Sequence, residues 1–197
     1  MNQLRVFVAL ELSPAITAQL GQAIADLKPR LPRDSIRWVK AEGIHLTVKF
    51  YGDVATERLP ALEGILPSAA VSARSFSLTV GGLGVFPNPF SPRVMWVGMA
   101  GDLENLEALQ KKIEDASTAL DFAPEPRGFS PHLTLGRFSG ALRPPDREKL
   151  TAALADSRFA RLGSFTAEAL TLFRSDLKPG GAIYTRLSTA ALGSPNP

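Results

Sequence analysis

The chain has 197 residues, 45% of them hydrophobic and 21% charged, which suits one large domain or two small lobes sharing a core. Its lack of cysteine excludes disulfides, thiolate zinc, iron–sulfur clusters and thiol nucleophiles together. The formal net charge of +3 is too small to mark a nucleic-acid binder without knowing where the charge lies.

Arg5–Leu10 is short, apolar and β-branched, and predicts a buried strand. Ser13-Pro14 reads as an N-cap with proline in the first helical turn. Ile16, Leu20, Ile24 and Leu27 follow at helical spacing, so a helix is expected over residues 14–27. The proline-rich run 28–35 ends it. Strands are expected at 36–40 and 44–51, a weaker helix around Leu59, Leu62 and Ile65, and an alternating strand at 75–80. Gly81–Gly84 and Phe86–Pro92 are rich in turn formers and read as a break. The pattern then begins again. Val94–Val97 predicts a strand, and Leu103, Leu106, Leu109, Ile113, Ala116 and Leu120 form the clearest helical stripe in the chain. After another proline-rich loop come a strand at 132–138, a short helix near 146–156, and strands at 165–173 and 183–187. The tail Gly193–Pro197 is expected to fray.

This order, run through twice, predicts an α+β fold. Two pseudo-symmetric lobes, each a mostly antiparallel sheet with outer helices, would flank a central cleft. The whole chain, 1–197, is read as one bilobal domain, its lobes centred on His45 and His132. A dinucleotide-binding sheet fits poorly. Gly81–Gly84 leads into prolines rather than a helix, and lacks the Gly-x-Gly-x-x-Gly spacing. No run approaches the roughly 20 apolar residues of a membrane span. No signal peptide is visible at the start, so the expectation is a soluble, cytoplasmic protein.

The two histidines of the chain sit in one repeated phrase, His45-Leu-Thr47-Val48 and His132-Leu-Thr134-Leu135. At the chain's Leu and Thr content, Leu-Thr after both histidines arises by chance about once in 10⁴. The copies lie 87 residues apart, one for each expected lobe. In a strand, residues i and i+2 share a face, so each His shares a face with its Thr while the leucines turn to the core. Facing strands would bring two imidazoles and two hydroxyls into one cleft. Imidazole titrates near neutrality, so the pair can supply a base and an acid at once. The hydroxyls can donate to oxygens gathering charge. In-line displacement at phosphorus needs these parts, and a strained cyclic phosphodiester suits them. A two-His site without cysteine needs carboxylates to hold zinc or iron, so no metal and no cofactor are expected.

These residues resemble the RNA 2′,3′-cyclic phosphodiesterases, also called 2′–5′ RNA ligases, of the two-histidine phosphoesterase superfamily. The likeness runs from Arg5–Leu10 through Arg37-Trp-Val39, His45–Gly52, Phe86-Pro87, Arg93–Gly98 and Pro131–Arg137 to Leu172–Ser175 and Gly181–Tyr184. It implies a bilobal fold and opening of RNA 2′,3′-cyclic phosphate ends to 2′-phosphomonoesters. It implies His45 as general acid, His132 as general base, and Thr47, Thr134 and Arg137 on the phosphate. Which histidine is acid and which base follows from the resemblance alone. Strict alternation puts Arg137 on the face opposite His132; a bulge at Gly136 is what would turn it back. Ligation to a 5′-hydroxyl is the same reaction reversed, and a non-catalytic module for RNA ends or nucleotides is the reading from another class. The expected partners are RNA ends or cyclic-phosphate nucleotides, with no membrane, no obligate protein partner and a monomeric state. Residues 28–49 carry a local balance of +4 and residues 102–121 one of −4, so the basic segment is expected to flank the cleft and guide RNA. Phe50, Tyr51, Phe129 and Tyr184 are the candidates for stacking on a base.

Overall fold

The computed structural model describes residues 2–194. Strand β1 (Gln3–Leu10) runs into helix α1 (Pro14–Leu27), which Ser13 caps by accepting from the Ile16 amide at 3.3 Å. There follow β2 (Ile36–Trp38), a 3₁₀ turn at Ala41–Gly43, β3 (Leu46–Ala55), α2 (Leu59–Val71) and β4 (Phe76–Phe86). The second half supplies β5 (Val94–Gly101), α3 (Leu103–Thr118), β6 (His132–Phe138), α4 (Pro144–Leu154), β7 (Gly163–Ala167), β8 (Ala169–Lys178) and β9 (Gly181–Ala191).

Two antiparallel sheets result, with strand orders β3-β1-β8-β9 and β2-β6-β5-β4-β7. The halves therefore exchange strands: β2 and β4 of the first half lie in the second sheet, and β8 and β9 of the second half lie in the first. β4 pairs with β5, and β8 pairs with β1. The α+β class and the two repeated lobes are as expected, but the strand exchange was not legible. Helices α2 and α3 cover the outer face of the first sheet, while α1 meets β7 and α4 meets β4 on the second. The outer faces share one core, including Val6, Val8, Leu10, Leu46 and Val48 of the first sheet and Met95, Val97, Leu133 and Leu135 of the second. The inner face of the first sheet carries its own small cluster of Phe7, Ala9 and Phe173 against Tyr184. Strands β3 and β6 approach within 8 Å between Cα atoms, so the two His-Leu-Thr strands lie at the seam between the sheets.

Three expectations are corrected. Gly81–Gly84 is not a break but the middle of β4. Gly82, at φ 73°, is the extra residue of a bulge, a Cβ on Gly81 would strike the Ala160 carbonyl, and one on Gly84 would overlap the Trp96 ring. These glycines serve close approach rather than chain reversal. The single strand expected at 165–173 is two strands meeting at Glu168, one in each sheet. Gly193 is not frayed: its amide donates to the Ala73 carbonyl at 2.8 Å and its carbonyl accepts from Ser75 at 2.7 Å. Residues 195–197 of the expected tail lie outside the described residues. Among the described residues no helix is long and apolar enough to cross a membrane.

Candidate active site

His45 ends the loop into β3, and His132 begins β6. The 3₁₀ turn before His45 presents the Gly43 carbonyl, 3.0 Å from His45 Nδ1. In the second copy the Ser130 carbonyl lies 2.7 Å from His132 Nδ1. A carbonyl can only accept, so Nδ1 carries a proton in both rings, and Nε2 of each ring is left as the atom that can exchange a proton with a substrate. The repeat thus extends beyond residue identity to tautomer.

Strand register sets the rest. In the first sheet Thr47 lies opposite Ala9 and Phe50 opposite Phe7, which places both on the inner face. The ladder skips Val48, a bulge directly after the threonine. The second copy repeats it. His132 faces Gly98, Thr134 faces Trp96, Leu135 is skipped, and Arg137 faces Val94. Directly opposed residues share a face, and Gly98, Trp96 and Val94 alternate along β5. Arg137 therefore lies on the same side as His132 and Thr134. The turn of the strand expected at Gly136 is present, one residue earlier. The Arg137 charge also reaches Tyr184, where it opposes the upward push that burial gives the phenol pKa. Tyr184 in turn packs edge-on against His45, at 4.9 Å between centroids. Neither threonine hydroxyl has a partner among the described residues.

The two imidazoles sit in different surroundings. His45 stacks on Phe7 at 4.5 Å and is walled by Tyr184 and Phe173. Burial pushes its pKa down to about 4, against the Gly43 carbonyl, which favours the charged form. His132 meets Phe86 edge-on at 5.0 Å and Trp96 at 6.4 Å. A pocket of about 870 Å³ opens beside His45, bounded by Glu11, Thr17, Glu42, Tyr184 and Arg186. Arg186 donates to Glu11 through Nε at 2.9 Å, and this bond, helped by Thr171, holds the Glu11 pKa down against burial.

Other expectations divide. Of the stacking candidates, Phe50 and Tyr184 are on the inner face. Tyr51 is turned to the outer face, hydrogen-bonded to Ser117 of α3 at 2.8 Å, and Phe129 packs on the core. The basic segment is split rather than gathered along the cleft. Arg30 pairs with Asp156 at 2.8 Å, and Lys49 is buried on the outer face with Glu114 at 2.8 Å. Much of the acidic segment is α3 itself, on the outer face of the first sheet. Sequence reasoning missed the aromatic wall of Phe7 and Phe173. The only available signal was Phe7 and Ala9 alternating within a strand that reads as apolar throughout.

A family model described as LigT like phosphoesterase matches twice, at residues 10–96 and 97–184, once for each copy of the repeat. The chain belongs to this family. The RNA 2′,3′-cyclic phosphodiesterase of Methanothermobacter thermautotrophicus is 31% identical over 190 residues, 96% of this chain and 100% of that protein. The protein of the same name from Thermotoga maritima is 31% identical over 184 residues, 92% of this chain and 91% of its own length. Among solved structures, E. coli LigT complexed with 3′-AMP is similar with a TM-score of 0.75 at 27% identity, covering 97% of this chain and 99% of that one. A Thermus thermophilus protein reaches a TM-score of 0.76 at 26% identity over 98% of this chain and 100% of its own.

Proposed function

We propose that the protein hydrolyses RNA 2′,3′-cyclic phosphodiester ends to 2′-phosphomonoesters by metal-independent acid–base catalysis between His45 and His132. The observation that carries this reading is the duplicated geometry. Two imidazoles have fixed Nδ1 protons and available Nε2 atoms, and each is followed on its own face by an unengaged threonine hydroxyl. The relatives named RNA 2′,3′-cyclic phosphodiesterase, aligned over most of the chain, support the reaction, and the 3′-AMP complex of E. coli LigT supports a nucleotide as ligand.

In this mechanism His132 Nε2 takes a proton from water as its oxygen attacks phosphorus. The bond to O3′ breaks on the opposite side, and His45 Nε2–H delivers its proton to O3′. One water is consumed, leaving a 2′-phosphate and a 3′-hydroxyl, and exchange with solvent resets both rings. Thr47, Thr134 and Arg137 donate to the non-bridging oxygens, where charge gathers. The departing O3′ carries the nucleoside, so the acid belongs on the side with room for it. The pocket beside His45 provides that room. Burial keeps His45 neutral before substrate binds. The anionic phosphodiester supplies the opposite charge that favours the imidazolium, so substrate binding charges the acid.

The test is a short RNA with a 2′,3′-cyclic end, incubated with and without EDTA, and mapping of the product phosphate. A 2′-phosphate formed at equal rates in both supports the reading. A 3′-phosphate reverses the polarity, and loss of activity in EDTA ends the metal-independent mechanism.

A further inference from the structure

Arg37, one residue of the basic segment, lies on the face that carries the reaction. In β2 it lies directly opposite Arg137 of β6, between the pairs Ile36–Phe138 and Trp38–Gly136. Ile36 is buried in the core while Arg37 is exposed, so Arg37 shares the inner face with Arg137, Thr134 and His132. Like charges directly opposed in an antiparallel pair destabilise it, with Cβ atoms only about 5 Å apart. Among the described residues neither arginine has a carboxylate partner to relieve that repulsion. Two permanent cations held side by side without a counter-ion make an anion site.

Place decides which anion. The field of Arg137 reaches Tyr184 beside His45, so Arg137 belongs to the reacting phosphate. Arg37 stands one strand farther out, on the edge strand of its sheet, where no strand among the described residues pairs beyond it and a polymer can leave. A cyclic phosphate is a 3′ end, so RNA continues from it only in the 5′ direction. We propose that Arg37 binds the phosphodiester on the 5′ side of the terminal nucleotide, making oligoribonucleotide ends, rather than cyclic mononucleotides, the preferred substrate class. This rests on the reading of the site as a cyclic phosphodiesterase and adds a second phosphate subsite to it.

The experiment compares kcat/KM for adenosine 2′,3′-cyclic monophosphate with that for a diadenylate ending in 2′,3′-cyclic phosphate, in the wild type, Arg37→Gln and Arg37→Lys. The wild type is expected to prefer the dinucleotide. Arg37→Gln is expected to reduce the dinucleotide-to-mononucleotide ratio about tenfold, the size of one charge-assisted hydrogen bond. The salt slope for the dinucleotide should become shallower by about 0.7. Arg37→Lys should restore the slope and part of the ratio. A ratio unchanged in Arg37→Gln, whether both substrates fall together or neither does, overturns the proposal, as does a wild type without the preference. Failure of the wild type to open either substrate overturns the reading of the site instead.

Discussion

Between pH 7 and pH 5 the protein should lose about 2 kcal/mol of stability through His45 alone. The ring is packed between Phe7 and Tyr184, and burial lowers its pKa to about 4. An unfolded histidine titrates near 6.5, so between those values the unfolded chain holds a proton that the folded chain does not. Stability therefore rises with pH across this window. It is complete above about 6.5 and falls progressively toward about 4, by about 3 kcal/mol in all at about 1.4 kcal/mol per unit. Urea unfolding of the wild type and His45→Gln at the two pH values isolates the contribution, because carboxylates common to both cancel in the difference. With only two histidines in the chain, NMR titration gives an independent reading, and saturating inorganic phosphate should move the His45 midpoint up by about 1–3 units. A variant that tracks the wild type's pH dependence, or a His45 titrating near 6.5, refutes the argument and with it the idea that substrate charges the acid.

His45→Ala and His132→Ala should each lower kcat by roughly 10²–10⁴, and Thr47→Val and Thr134→Val by about 10², in single-turnover assays on a cyclic-ended RNA. Lys49→Ala should destabilise by about 3 kcal/mol in urea, because it leaves Glu114 without the buried ammonium that now lies 2.8 Å away. Adding Glu114→Leu should recover much of that loss. Gly84→Ala should cost about 1–3 kcal/mol and shift the Trp96 fluorescence in a Trp38→Phe background, since the added methyl overlaps the indole packed beside His132.

Much of the local structure was legible because it depends on near neighbours. Ser13-Pro14 and the spacing of Ile16, Leu20 and Ile24 place α1 at Pro14–Leu27, where it is found. The stripe from Leu103 gives α3, ending at Thr118 rather than at Leu120. Where glycine was read by its turn propensity alone, the reading failed. Gly84 is required by the face of an indole twelve residues away, and Gly81 by a backbone nearly eighty residues on. The run Phe165–Phe173 carries no local sign that Glu168 divides it between two sheets.

The candidate site divides along the same line. The repeated His-Leu-Thr is a property of the sequence, and two-residue periodicity then binds each imidazole to its threonine on one face, whatever strand lies alongside. Everything beyond the threonine depends on the partner strand. The bulge at Leu135 that turns Arg137 inward is defined only by the hydrogen bonds of β5, and the opposition of Arg37 and Arg137 only by the register of β2 on β6. The low pKa of His45 likewise belongs to rings delivered by β1, β8 and β9. Which chemical groups are present, and which side of a strand they share, follows from residue identity and two-residue periodicity. Which groups from distant segments face one another follows from the folded arrangement, because register and burial are set by contacts far apart along the chain.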